Sequence, residues 1–165
     1  MKTVIFLITI LSISSCRPNR EPIKEAVSID AYVDLTIKNN AGQDLLDPNT
    51  PNTLNTNNIK LYNVVNGQAI EVYHGNYTYP KNYLIYNYKD VKAIRVFVNH
   101  TDAEELPTTY IKWNDNNTDT IKCHFSRGSG NDGSFILCDK VWYNSNIVFP
   151  KPENKDIGRF ISLIK

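Results

Sequence analysis

The sequence predicts an all-β chain, an antiparallel β-sandwich of Ig-like or transthyretin-like kind, after an N-terminal lipoprotein signal peptide. Three observations predict it. Apolar and polar residues alternate strictly from Val27 to Lys38, Asn66-Gly67 carries a hairpin signature, and no segment of ten or more residues shows a helical period with caps. The 165 residues suit one domain, divided as residues 1–15 signal peptide, 16–26 lipidated cysteine and tether, and 27–165 the β-sandwich.

Lys2 precedes an apolar run, Val4 to Leu11 with Thr9 inside it, followed by small polar residues and Cys16. A positive start, a short apolar stretch and a small-residue cleavage zone make a secretory signal. The run is far short of the ~20 residues that span a bilayer. Ile13-Ser14-Ser15-Cys16 resembles a bacterial lipobox. The resemblance implies that the Cys16 thiol receives a diacylglyceryl group and that Cys16 becomes the mature N-terminus. Acyl chains at ~0.8 kcal/mol per buried CH2 then hold the protein on a membrane without a spanning helix. Removing residues 1–15 takes Lys2 away and leaves 17 basic against 17 acidic residues, so the mature chain is formally neutral. A nucleic-acid stripe or polybasic membrane patch has little to stand on, and nucleic acid is excluded as the expected partner. The tether, from Arg17 to Glu25, has two prolines and mixed charges and offers no face to bury.

In the body, Val27, Ile29, Ala31, Val33, Leu35 and Ile37 fall on one side of a strand with one wet face. Residues 39–58 are rich in Asn and hold Gly42, Pro48 and Pro51, which reads as turns with Leu45-Leu46 plugging the core edge. Asp44 and Asp47 lack the ligand count and spacing of a calcium cage and read as turn formers. The segments 59–65 and 68–74 form a hairpin through a type I′ turn, with Val65 opposite Gln68, Asn63 opposite Ile70 and Leu61 opposite Val72. That register gathers Ile59, Leu61, Val65, Ile70 and Val72 on one face, and a one-residue slip would mix the two faces. His74 ends this face as a hydrogen-bonded rim residue. His100 and His124 lie on other elements, so neither a metal nor any other cofactor is implied. Further strands are expected at 83–89, 91–99, 108–114, 118–125, 134–144 and 160–165.

Cys123 and Cys138 flank a loop with glycines at 128, 130 and 133, read as a flexible hairpin tip. The loop is not a phosphate-binding one, since the Lys-Ser/Thr ending and the following helix are missing. If Phe125 closes against Ile136, then Cys123 faces Cys138 and Lys122 faces Asp139. Facing residues lie within reach of a disulfide, so Cys123–Cys138 is the candidate bond; the alternative is two buried free thiols. Tyr73, Tyr77, Tyr79, Tyr83, Tyr86 and Tyr88 crowd one stretch as candidate ligand-stacking aromatics, or else as covers for the ends of the core. Nucleophile-elbow, zinc-protease and Cys-x-x-Cys motifs are absent, and the adjacent Glu104 and Glu105 would point to opposite sides of a strand. Asp119-Thr120-Ile121 matches the short Asp-Ser/Thr-aliphatic pattern of protein O-glycosylation in Bacteroidota.

The lipobox, the tether, Val33-Asp34-Leu35-Thr36-Ile37, Gly42-Gln43-Asp44-Leu45-Leu46-Asp47-Pro48, the Ile59-Lys60-Leu61-Tyr62 hairpin and Lys140-Val141-Trp142-Tyr143-Asn144 together resemble the small uncharacterised lipoproteins of gut Bacteroidota. The resemblance spans most of the chain and implies a lipid-anchored β-sandwich, without a catalytic residue to carry over. Asn144-Ser145 stands where Asn-Gly is expected. The function expected is a membrane-anchored, non-enzymatic envelope module that binds or scaffolds a partner, an envelope protein or a glycan. The alternative is a carbohydrate-binding accessory lipoprotein using the tyrosines, and the third class is an enzyme with acids gathered from separate loops.

Overall fold

A computed structural model describes residues 27–130, 133–152 and 158–165. The signal peptide, the tether and Cys16 lie outside the described residues. Among these residues the regular structure is dominated by β-strands, with a short 3-10 turn at Thr56–Asn58. The strands are β1 (Val27–Asp30), β2 (Tyr32–Lys38), β3 (Lys60–Val65), β4 (Gln68–Glu71), β5 (Tyr83–Tyr88) and β6 (Val91–Phe97), followed by β7 (Thr108–Asn114), β8 (Asn117–Gly130), β9 (Gly133–Tyr143), β10 (Asn146–Phe149) and β11 (Phe160–Ile164). One sheet runs β1-β9-β8-β7-β3-β4, with β10 also on β9; the other runs β11-β2-β6-β5. Their inner faces enclose one core, in which Leu35 and Ile94 of the smaller sheet and Ile111, Trp113 and Val141 of the larger are almost wholly buried.

The sheets are mostly antiparallel, as expected, but each carries one parallel pairing. β1 pairs with β9, and β11 with β2, in parallel. Both strands come from the ends of the described body, where no tight hairpin dictates direction. The stretch expected as one strand from Val27 breaks at Ala31, so β1 joins one sheet and β2 the other. Alternation keeps its parity across the break, which is why the period alone conceals the switch. Burial reveals it: Val27 and Ile29 are more than half exposed, whereas Val33, Leu35 and Ile37 are fully buried.

The β3–β4 hairpin forms in the expected register, Val65 with Gln68 and Asn63 with Ile70, and the Val72 amide donates to the Leu61 carbonyl at 2.8 Å. Asn66 and Gly67 both take positive φ, 51° and 76°, as the turn requires. Ile59, Leu61 and Val72 are buried, but Ile70 is 53% exposed because all of β4 is exposed at the sheet edge. Leu45 and Leu46 are buried in the core as expected. Asp44 fixes them as a turn former, accepting from the Leu46 amide at 2.8 Å and the Lys92 amide at 2.6 Å. Asp47 likewise accepts from the Asn49 amide at 3.0 Å.

The β8–β9 pairing corrects the expected cysteine register. A bulge lies between His124 and Phe125, so Cys123 pairs with Val141 and Phe125 with Cys138; Lys122 faces Trp142, and Ile136 faces Arg127. The physical reason is the spacing of inward residues on β9. Cys138, Val141 and Tyr143 are all buried, and strict alternation cannot place both 138 and 141 on one face. One extra residue, Asp139, absorbs the mismatch and points away from the core. The direct facing that made Cys123–Cys138 a candidate disulfide does not form, and both are buried free thiols. The glycine stretch is not a loop: the ladder continues through Gly128–Phe135 to Gly130–Gly133, leaving only residues 131 and 132 outside the description.

Candidate functional site

The six tyrosines read as one cluster occupy three environments. Tyr83 lies on the inner side of β5 against the core, its hydroxyl donating to the Thr56 carbonyl at 2.7 Å. Tyr86 and Tyr88 belong to the opposite side of the same strand. There Tyr88 packs against Phe160 at 4.3 Å between centroids, and Tyr86 lies 5.6 Å from the Arg95 guanidinium. Burial, together with the Asp34 carboxylate, pushes the Tyr86 phenol up to about 12. Arg95 is itself committed to Asp34, donating through Nε at 2.9 Å and a terminal nitrogen at 2.8 Å, so this face is knit together. Of the six, only Tyr73, Tyr77 and Tyr79 are exposed, the first two by more than half, and all three lie in the connection from β4 to β5.

That connection crosses from one sheet to the other at an end of the sandwich. It is closed at its base by the His74 amide donating to the Pro80 carbonyl at 2.7 Å, and inside by the Tyr77 amide donating to His74 at 3.0 Å. Asn82, at φ 55°, turns the chain into β5, and its carbonyl accepts from the Phe97 amide at 2.9 Å. Between this loop and the chain leaving β6 lies an open pocket of about 810 Å³. Its size falls within the range of small-molecule sites. A second depression of about 350 Å³ shares Thr78 and Tyr79 with it and adds Tyr73, Lys81 and Tyr83.

The chain leaving β6 is held from three directions. Asn99 is buried; its amide donates to Thr109 Oγ1 at 2.7 Å and its side chain to the Val64 carbonyl at 3.0 Å, so it ties the pocket wall to both β3 and β7. Its Oδ1 accepts from the Thr101 amide at 3.2 Å. From β8, Arg127 donates to the carbonyls of His100 and Thr101 at 2.7 and 3.0 Å. Such a wall is positioned before any ligand arrives.

Two aromatic pairs line the pocket. His74 stacks on Tyr77 with centroids 4.7 Å apart, and Tyr79 on Phe97 at 5.8 Å. Amides of Asn63, Asn76 and Asn82 border it as well, with no carboxylate, lysine or arginine among the described lining residues. His74 is on the rim as expected, but its ring stacks and makes no hydrogen bond within the described residues. Sequence reasoning missed the asparagines and Phe97. The signal was present at Asn63, an amide in the series Ile59, Leu61, Asn63, Val65 where an apolar residue belongs.

Two other polar clusters have structural explanations. His124 Nδ1 and Ser126 Oγ both bond the Asp139 carboxylate, the former at 2.6 Å. Burial alone would raise Asp139, but those two partners outweigh it and hold the carboxyl below its usual range. The serine donates to the carboxylate and not to the imidazole, so the contacts differ from those of a Ser-His-Asp relay and instead fasten the bulge. Asp119, of the O-glycosylation pattern, is buried and accepts from Trp113 Nε1 at 2.6 Å, Tyr143 Oη at 2.5 Å, Asn144 Nδ2 at 2.7 Å and Lys165 Nζ at 2.5 Å. Its carboxylate is occupied by the fold. The neighbouring Cys138 thiol and burial together push the Cys123 thiol up, which keeps it protonated. No protein-family model, no curated protein and no solved structure matches this chain.

Proposed function

We propose that this chain is a non-enzymatic binding module of the bacterial cell envelope, anchored in the outer membrane through lipid on Cys16, with its ligand taken up at the end of the sandwich between the β4–β5 loop and the chain leaving β6. The anchor rests on the signal and lipobox in residues 1–16. The binding role rests on one observation, the pre-positioned pocket of about 810 Å³ whose described lining has stacking and hydrogen-bonding groups and no carboxylate. Paired carboxylates are what hydrolytic chemistry on a glycan would need, so the lining favours binding. The two packed sheets support an Ig-like or transthyretin-like sandwich, a scaffold that presents loops at its ends.

A photo-crosslinking side chain at Thr78, which borders both depressions, tests the reading in intact cells. Capture of a discrete envelope component from Thr78 but not from the exposed Lys122 on β8 is the expected result. Identical products from both positions, or none, would overturn it. A mass spectrum of the mature protein checks the anchor, and an unmodified N-terminal residue would remove it. Carbohydrate binding is the second reading, favoured by the aromatic pairs beside the amides.

A further inference from the structure

We infer that the two adjoining depressions are successive subsites for a neutral glycan of at least two sugar rings, with Tyr79 and Thr78 as the ridge between them. The inference rests on the binding-module reading and names its ligand. Three properties of the site lead to it.

The first is charge. The described lining of the larger depression has no carboxylate, lysine or arginine. An ionic ligand would lose hydration there with no opposite charge to compensate, whereas a neutral polyol loses far less. In the smaller depression the sole formal cation among the described lining residues, Lys81, donates its ammonium to the Asn57 carbonyl at 2.6 Å.

The second is unused hydrogen-bonding capacity. The side chains of His74, Asn76, Asn82, Tyr77 and Tyr79 make no hydrogen bond within the described residues. Each amide offers donors and an acceptor side by side, and each phenol offers both roles. A sugar hydroxyl is likewise donor and acceptor, so this set matches a ring bearing several hydroxyls. Asn99, by contrast, is committed to the fold and serves as a support.

The third is the arrangement of aromatic rings. Tyr77 and Tyr79 border the larger depression, while Tyr73 and Tyr79 border the smaller. Tyr73 and Tyr77 are 66% and 58% exposed, an exposure that leaves ring surface free to stack on the apolar face of a pyranose. Shared borders at Thr78 and Tyr79 make the two depressions continuous, so a ligand seated in one reaches the other.

The test is an immobilised panel of neutral glycans of one to six rings, with uronic-acid-bearing counterparts of the same lengths, probed with the mature protein purified in detergent from membranes. Hits are then titrated calorimetrically. Retention is expected for neutral glycans of two or more rings. Tyr79→Ala is expected to weaken a hit by about tenfold or more, since it removes a surface shared by both subsites. Tyr73→Ala should weaken longer glycans while leaving the shortest hit within about twofold, and Asn76→Ala, at an exposed loop position, provides a second variant with little risk to folding. Preference for acidic glycans, or affinity indifferent to Tyr79→Ala in a protein whose unfolding midpoint is unchanged, would overturn the inference. An empty panel alongside a discrete protein captured from Thr78 would overturn the glycan assignment and leave the binding module standing. An empty panel with nothing captured at Thr78 would sink both.

Discussion

Asp119 shows what one residue contributes when it breaks the pattern around it. It occupies the inward series of β8, ahead of Ile121, Cys123 and Phe125, where a carboxylate is costly unless every lone pair is used. Four donors compensate it, Trp113, Tyr143 and Lys165 at Oδ2 and Asn144 at Oδ1. Removing the acceptor would leave an indole N–H, a phenol and an ammonium without it, so Asp119→Ala is expected to cost about 3 kcal/mol in urea unfolding followed by tryptophan fluorescence. The acid limb gives an independent check. Burial alone would raise the Asp119 carboxyl, but hydrogen bonds from Asn144, Lys165, Tyr143 and Trp113 together hold it below its ordinary value. The folded state therefore binds fewer protons than the unfolded one. The stabilisation is complete above the unfolded carboxyl value of about 3.9 and is lost as pH falls through the folded one. Stability measured downward from pH 5 should fall less steeply in Asp119→Asn than in the parent. Equal slopes would mean that Asp119 does not titrate as the network requires.

At the scale of the element, turn chemistry decides register, and the β9–β10 hairpin departs from the best turn residue. Asn144 and Ser145 both take positive φ, 46° and 70°, in a two-residue turn that places Tyr143 opposite Asn146. A left-handed conformation costs a non-glycine residue about 1–2 kcal/mol, and glycine returns part of that gain through its freer unfolded state. Ser145→Gly is therefore expected to stabilise by about 0.5–1 kcal/mol and raise Tm by roughly 2 °C. The same reasoning makes Gly67→Ala destabilising by about 1 kcal/mol, because φ is 76° there while nothing lies within 4 Å of an added Cβ. Calorimetric melting of the two variants should move in opposite directions. These elements also show where the sequence is readable. The β3–β4 hairpin was legible because Asn-Gly and the alternating pattern agree on one register. The β8–β9 register is not legible in the sequence because a bulge leaves no local signature: Cys138 and Val141 both face inward only when Asp139 is skipped. The pocket was half legible. Its tyrosines stood out by crowding, but Asn63, Asn82 and Phe97 come from separate strands and loops, and only tertiary structure brings them to Tyr77 and Tyr79.

At the scale of the whole molecule, the last strand is fastened to the opposite sheet at both ends by cations. Before β11, Arg159 donates through Nε to the Tyr32 carbonyl at 2.9 Å, through a terminal nitrogen to the Cys138 carbonyl at 2.7 Å, and pairs with Asp30. It thus joins β1, β2 and β9 at the point where the chain changes sheets. After β11, the Lys165 amide donates to the Lys38 carbonyl at 2.9 Å, while its ammonium reaches Asn117 at 2.9 Å and Asp119 at 2.5 Å on β8. Between these ends β11 is an edge strand, held by parallel pairing to β2 and by the buried Ile161. Parallel pairing is slightly weaker per residue, so the two fastenings bear more of the load than they would on a central strand. Arg159→Lys keeps the charge but loses the planar fork that serves three acceptors at once, and a cost of about 2 kcal/mol is expected. Lys165→Met should cost about as much, by leaving the Asp119 carboxylate without its counter-charge. Residues 159 and 165 lie roughly 20 Å apart along an extended chain, beyond the range at which substitutions without shared partners couple. The double variant should therefore lose the sum of the two single losses within about 0.5 kcal/mol, with hydrogen exchange accelerated along β2. A double loss well below that sum would mean that either fastening alone decides whether β11 stays docked, so that the strand peels away as one unit when either is cut.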